Sequence, residues 1–276
     1  MLTGCSKQVF DDEAVQYDDT QQHLILFDVQ GDFGHTGFTR GTLSADGKDM
    51  TDLWVLDYMD GVLVQQLHQA STDDDFGEPQ MALDYGEHHV YFVASRGKTP
   101  TLSTSEHTIS WTTTSDTFWK DLSLEVTTGS AATQSVVLQR VATKLTIAIN
   151  DEIPDGTACV EITPSTWYYG LNYMTGQASN EMTSETRVIN IPSSYIGTTG
   201  EVTASIFGMS GADEWTTDIS VVAKDDEEDI IGQTVIHGAP FKANRVTTYS
   251  GDLFSSESTF SITLNDEWSE GHNGTW

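Results

Sequence analysis

The sequence predicts an all-β protein made of antiparallel β-sandwiches, and three observations carry that prediction. Apolar and polar residues alternate with a period of two from His23 almost to the end of the 276-residue chain. Clusters of Gly, Asp, Asn and Ser interrupt the alternation at short intervals, and stretches with helical periodicity are scarce. Alternation of this kind gives sheets with one wet face, which suits antiparallel sandwiches better than a parallel α/β sheet.

Each element follows from local chemistry. HLILFDV (His23 to Val29) is the first strand, and the Gly-rich GDFGHTGFTRG (Gly31 to Gly41) after it is a loop that contains Arg40. Asp52 to Leu67 predicts a hairpin, because Asp60-Gly61 supplies the positive backbone angles that a tight turn needs between two apolar runs. HHVYFVAS (His88 to Ser95), HTISWTT (His107 to Thr113) and DLSLEVT (Asp121 to Thr127) continue the series. The small, polar TGSAATQ (Thr128 to Gln134) has the most linker-like composition in the middle of the chain. It sets the expected border between an N-terminal sandwich over 23–134 and a C-terminal one over 135–276, behind a lead-in over 1–22. In KLTIAIN, Leu145, Ile147 and Ile149 are placed toward a core, with Lys144, Thr146 and Asn150 outward.

Composition narrows the function. With 37% hydrophobic and 10% aromatic residues the chain has enough apolar surface for a packed core, which excludes a disordered polymer. Forty-two acidic residues against 12 Lys plus Arg give a formal charge of −30, which repels phosphate backbones, so nucleic acid is excluded as a partner. The runs Asp73 to Asp75 and Asp225 to Asp229 lack the alternating ligands and central Gly of a calcium loop, and are read as solvated acidic surface.

No catalytic constellation emerges. There is no G-x-S-x-G, H-E-x-x-H, Walker loop or glycine fingerprint, and carboxylate pairs discriminate nothing in so acidic a chain. His88 and His89 are neighbours on a strand and point to opposite faces, so they form a core-and-surface pair rather than a chelate. Cys159, in the alternating TACVEIT, is read as a small core residue. No enzyme, cofactor or metal site is expected. Trp167, Tyr168 and Tyr169 form an aromatic cluster that is either a sugar-stacking platform or filling on both faces of a strand at a contact between units.

The other cysteine raises a different possibility. LTGC (Leu2 to Cys5) has the small-residue run and cysteine of a lipoprotein cleavage box, although the positive start and apolar stretch of a full signal do not precede it. The acidic DDEAVQYDDTQQ (Asp11 to Gln22) then suits a tether between an acylated Cys5 and the folded part.

Several of these patches, in this order, resemble the fimbrillin-like lipoproteins of Bacteroides-type bacteria, the subunits and anchors of type V pili. They are LTGC, MTDLWVLDYMDG (Met50 to Gly61), HHVYFVAS, VVLQRVATKLTIAI (Val136 to Ile149), FKANRVTTYSGDLF (Phe241 to Phe254) and FSITLNDEW (Phe260 to Trp268). The resemblance implies two tandem transthyretin-like antiparallel β-sandwiches and export as an outer-membrane, cell-surface lipoprotein, lipid-anchored through Cys5. It also implies assembly into a fimbria by β-strand donation between subunits. An arginine-specific protease opens the acceptor groove in polymerising members, and Arg40 is the matching cleavage candidate. Anchor members keep their lipidated end, so shaft, anchor and tip all stay open, as does whether FSITLN is donated or is the last strand of its own sandwich. A lipid-anchored glycan-binding sandwich, or a tip adhesin for host or bacterial surface ligands, is the rival reading.

Overall fold

A computed structural model describes residues 22–32, 41–42, 50–183, 186–200, 202–211, 213–255 and 259–266. Cys5 and Arg40 lie outside the described residues. The chain forms, in order, β1 (Gln22–Asp32), β2 (Gly41–Thr42), β3 (Asp52–Met59), β4 (Val62–Ala70), β5 (Gln80–Asp84), β6 (Gly86–Ser95), β7 (Lys98–Ser103) and β8 (Thr108–Thr113). Then come β9 (Thr117–Val126), β10 (Thr133–Arg140), β11 (Ala142–Ile149), β12 (Thr157–Pro164), β13 (Thr166–Asn172) and β14 (Gln177–Thr183). The series ends with β15 (Arg187–Asn190), β16 (Val202–Met209), β17 (Trp215–Asp225), β18 (Ile230–Phe241), β19 (Val246–Gly251) and β20 (Phe260–Asn265). The described residues include no α-helix. Asp60 and Gly61 close the β3/β4 hairpin with φ of 49° and 76°, the left-handed pair that their chemistry predicts.

The first sheet runs β2-β1-β10-β9-β6-β3-β4, with β5 also on β1. It cannot be flat. In a flat sheet β1 and β6 would lie about 14 Å apart, three strand spacings, yet the rings of Phe27 and Phe92 meet edge to face at 5.2 Å. The sheet folds over along β9/β10, where only Trp119 with Gln139 and Phe118 with Arg140 pair. One core fills the fold, around Phe27, Val55, Val90, Phe92, Phe118 and Leu138.

The opposite face of β3 and β6 presents Trp54, Leu56, Tyr58, Tyr91 and Val93 to a second sheet, β14-β13-β8-β7. Two further sheets, β16-β11-β19-β20 and β15-β12-β17-β18, enclose a third core that includes Leu145, Ile147, Ile149, Val160, Ile162 and Val221.

Two pairings depart from the antiparallel expectation: β1 with β10 and β11 with β19 are parallel. Period-two alternation fixes which face a side chain takes and carries no information on strand direction. The TGSAATQ stretch runs into β10, which returns to the first sheet beside β1, and the chain leaves that sheet at Val141.

Candidate functional site: the outer edge of the C-terminal strand

β20 pairs with β19 along all six of its residues, and on its other side no strand pairs with it among the described residues. Edge strands expose unpaired N–H and C=O groups and are normally blunted by Lys, Pro or bulges. The β7 edge carries Lys98 and Pro100, and the β18 edge carries two register shifts and Pro240. FSITLN has none of these devices. Its alternation places Phe260, Ile262 and Leu264 on the side of Tyr249 and the core, yet Ile262 and Leu264 stay 46% and 44% exposed. The strand therefore offers backbone bonding groups together with an apolar flank that its own sandwich does not cover.

Both ends of this edge are held. The Asp151 carboxylate accepts the backbone N–H groups of Leu253 (3.1 Å), Phe254 (2.6 Å) and Ser255 (3.2 Å), which fixes the exit of β19. At the far end Asp266 accepts from the Arg245 guanidinium and from Lys242 Nζ at 3.1 Å, while Arg245 also donates to Glu214. The Arg245 guanidinium, seconded by Lys242, holds the Asp266 carboxyl at about 2.

A second constellation sits where the first sheet meets the C-terminal sandwich. Arg140 makes a bidentate pair with Asp116, Nε to Oδ1 at 2.8 Å and Nη2 to Oδ2 at 3.0 Å, with both side chains at most 2% exposed. Its remaining nitrogen Nη1 donates to Asn244 Oδ1 at 2.9 Å, and its guanidinium lies over the Phe118 ring at 4.9 Å. The patches LQRVATKL and KANRV thus meet at one buried charge. Nothing in the alternation announced this, because Arg140 reads as an ordinary polar residue of a strand.

The aromatic cluster divides between faces. Trp167 is fully buried in the C-terminal core, and its indole N–H donates to the Phe207 carbonyl at 2.9 Å. Tyr169 is buried in the same core, while Tyr168 points the other way and meets Trp215 edge to face at 5.1 Å. A stacking platform needs open ring faces, and neither Trp167 nor Tyr169 has one. Further along the same face of β13, Leu171 and the following Tyr173 enter the middle core, where the Tyr173 and Tyr58 hydroxyls bond at 2.7 Å and the Trp119 indole donates to the Tyr173 carbonyl at 2.6 Å. One face of one strand therefore serves two cores.

The remaining candidates have structural surroundings. His88 is buried and His89 exposed, as opposite faces require. Cys159 is not the core residue its strand suggested: it is half-buried on β12, on the face opposite Val160 and Ile162, and burial pushes its thiol up, away from the thiolate that a nucleophile needs. Asp225 Oδ1 accepts from the N–H groups of Glu227 (3.0 Å) and Asp229 (2.9 Å), so the second acidic run closes its own turn.

The architecture is shared with solved structures from Bacteroides and Porphyromonas. A Bacteroides ovatus protein provisionally assigned as an adhesin superposes with a TM-score of 0.57 at 11% identity, covering 88% of this chain and 94% of that one. A Bacteroides thetaiotaomicron protein provisionally assigned as polysaccharide binding gives 0.54 at 9% identity, over 89% and 96%. The fimbrial anchor protein Mfa2 of Porphyromonas gingivalis gives 0.51 at 10% identity, over 89% and 98%. No curated protein sequence matches the chain. Fold and site together define an all-β protein with the fold of fimbrial and adhesin proteins, in line with its resemblance to fimbrillin-like proteins. The chain belongs to the family of unknown function DUF6562, which matches residues 84–275.

Proposed function

We propose that this chain is a non-enzymatic cell-surface protein, a structural or anchoring subunit of a fimbria, that joins its neighbours by strand exchange. The observation that carries the reading is the β20 edge: six residues without charge or Pro, an outer side that no strand pairs with among the described residues, and two half-exposed apolar side chains. A partner strand added there gains main-chain hydrogen bonds and covers Ile262 and Leu264. The fold shared with a fimbrial anchor supports the same reading. In it, the chain forms two transthyretin-like units, over 23–134 and 135–276, with β10 (Thr133–Arg140) pairing back beside β1. Cys5 carries the lipid that holds the chain on the outer membrane, and Arg40 is where a protease trims it in a polymerising role.

The test is assembly. The full chain is incubated with an arginine-specific protease, with and without the Arg40→Ala change, and sized; a ladder that vanishes with Arg40→Ala supports processing. A ladder that survives Arg40→Ala but is lost with Ile262→Lys supports the β20 edge without Arg40. Persistent monomer under all conditions defeats strand exchange. The rival glycan-binding reading loses Trp167 and Tyr169 as its platform, because both are enclosed.

A further inference from the structure

Two rows of the outward face of the β16-β11-β19-β20 sheet are built almost wholly of hydroxyl residues, and the next row along carries Phe207, Lys144 and Val246. Strand register places Ser205, Thr146, Thr248 and Thr263 side by side across all four strands. Two residues along, Thr203, Ala148, Ser250 and Ser261 form a second row in the same register. Neighbouring positions within a row are about 4.8 Å apart, and the rows about 6.8 Å apart. None of the eight is buried.

Among the described residues, the strands of this face carry no outward carboxylate, in a chain whose formal charge is −30. The outward face of the opposing sheet differs, with Glu161, Lys224, Asp218 and His237 among its residues. Thr146 and Ser205 bond to each other at 3.1 Å, Ser250 donates to Asn150 at 3.0 Å, and Ser261 donates to the Ser250 carbonyl at 3.0 Å. The hydroxyls of Thr203, Thr248 and Thr263 make no hydrogen bond among the described residues. Each retains one donor and two acceptor positions.

Chemistry decides what such a face fits. An anionic polymer needs several cations, and this face carries a single one, Lys144, one row beyond Thr146. A lipid surface needs an apolar face, which the rows lack. A protein surface would desolvate the hydroxyls without returning a matching partner to each one. A neutral polyhydroxyl chain returns such a partner, because sugar hydroxyls are themselves donors and acceptors, and the Thr methyls and Ala148 can meet sugar C–H groups. We propose that this face binds an uncharged polysaccharide lying across the strands, with successive sugar units meeting successive strands. Each contact is weak, so retention grows with the number of copies displayed together. The proposal rests on neither strand exchange nor lipid attachment, and a monomer in solution is enough to test it.

The full chain is mixed with insoluble cellulose, insoluble mannan and, as an acidic polymer, polygalacturonate, and the bound fraction is measured. Retention on a neutral polymer is expected, together with a loss of at least about tenfold in the triple variant Thr146→Val, Thr248→Val, Thr263→Val. Val preserves the β-branched shape, so the strands are kept while the hydroxyls go. Ser220→Ala on the opposing sheet should leave retention unchanged. No retention on either neutral polymer, equal retention by the triple variant, or preference for polygalacturonate would each overturn the proposal. Should the triple variant not fold, Thr263→Val alone, on the exposed edge strand, replaces it with the same two readings.

Discussion

Arg140 and Asn244, 104 residues apart in sequence, are joined by a hydrogen bond of 2.9 Å from Nη1 to the side-chain oxygen. The bond completes a buried charge site in which Asp116 takes the other two donors. Removing one member of a buried pair strands the other without water, which costs about 3–5 kcal/mol, whereas replacing both by apolar groups is close to neutral. Asp116→Ala should therefore lower the thermal midpoint more than the double change Asp116→Leu with Arg140→Met. Calorimetry of the two variants checks this, and equal losses would place the site's role elsewhere.

A second buried pair predicts a pH effect. His88 Nδ1 lies 2.8 Å from Asp57 Oδ1, and Nε2 lies 2.8 Å from the Asp84 carbonyl, so both ring nitrogens face acceptors. Two protons satisfy that geometry and one does not. Burial pushes the Asp57 carboxyl up, opposed by the bond to His88. A raised folded value means stability that is complete below about pH 4 and is lost as pH rises through the folded value. Asn at position 57 can donate to Nδ1 while Nε2–H donates to Asp84. Asp57→Asn should therefore fold and show a flatter urea midpoint between about pH 4 and pH 8. An unchanged slope would remove the pair from the pH response.

The end of β20 should respond in the opposite direction. The Asp266 carboxyl, held at about 2 by Arg245, contributes stability that is present above about pH 4 and fades as pH falls toward 2. Asp266 is half exposed, so the effect is discounted to about 1 kcal/mol or less and shrinks in high salt. The protection factors of the β20 amides bonded to β19 should fall on acidification in the native chain, and Asp266→Asn should lower them at neutral pH.

Trp167 gives a prediction about folding rather than binding. It is fully enclosed beside Phe241, with ring centroids 5.1 Å apart, and Gly208 lies so close that a Cβ there would stand 2.7 Å from the indole. Trp167→Ala should cost about 3–5 kcal/mol. Gly208→Ala should also destabilise, by forcing the ring against backbone. Tyr168→Ala, at a half-buried position, should cost less than Trp167→Ala in the same denaturation series.

The strands were legible because their signal is local. Asp60-Gly61 announced its hairpin, and the alternation in KLTIAIN placed Leu145, Ile147 and Ile149 inside, as the buried faces of β11 show. What stayed hidden depends on partners far along the chain. Direction of pairing was invisible, so the parallel β1/β10 and β11/β19 contacts were unforeseen. Nothing local marks Arg140 and Asp116 as buried, since only the meeting of three segments encloses them. The hydroxyl rows could not be read at all, because each row takes one residue from each of four strands and no stretch of sequence contains two members of the same row.

The path of β13 has a mechanical consequence. Only Ser165 separates β12 from β13, and the side chains on one face of β13 enter two hydrophobic interiors in succession. A pull applied at the C-terminal sheets travels along this strand into the middle of the molecule, where it meets the ladders to β8 and β14 lengthwise, as shear. Many bonds must then fail together rather than one after another. Under tension the crossing at Ser165 should therefore behave as a stiff link rather than as a hinge.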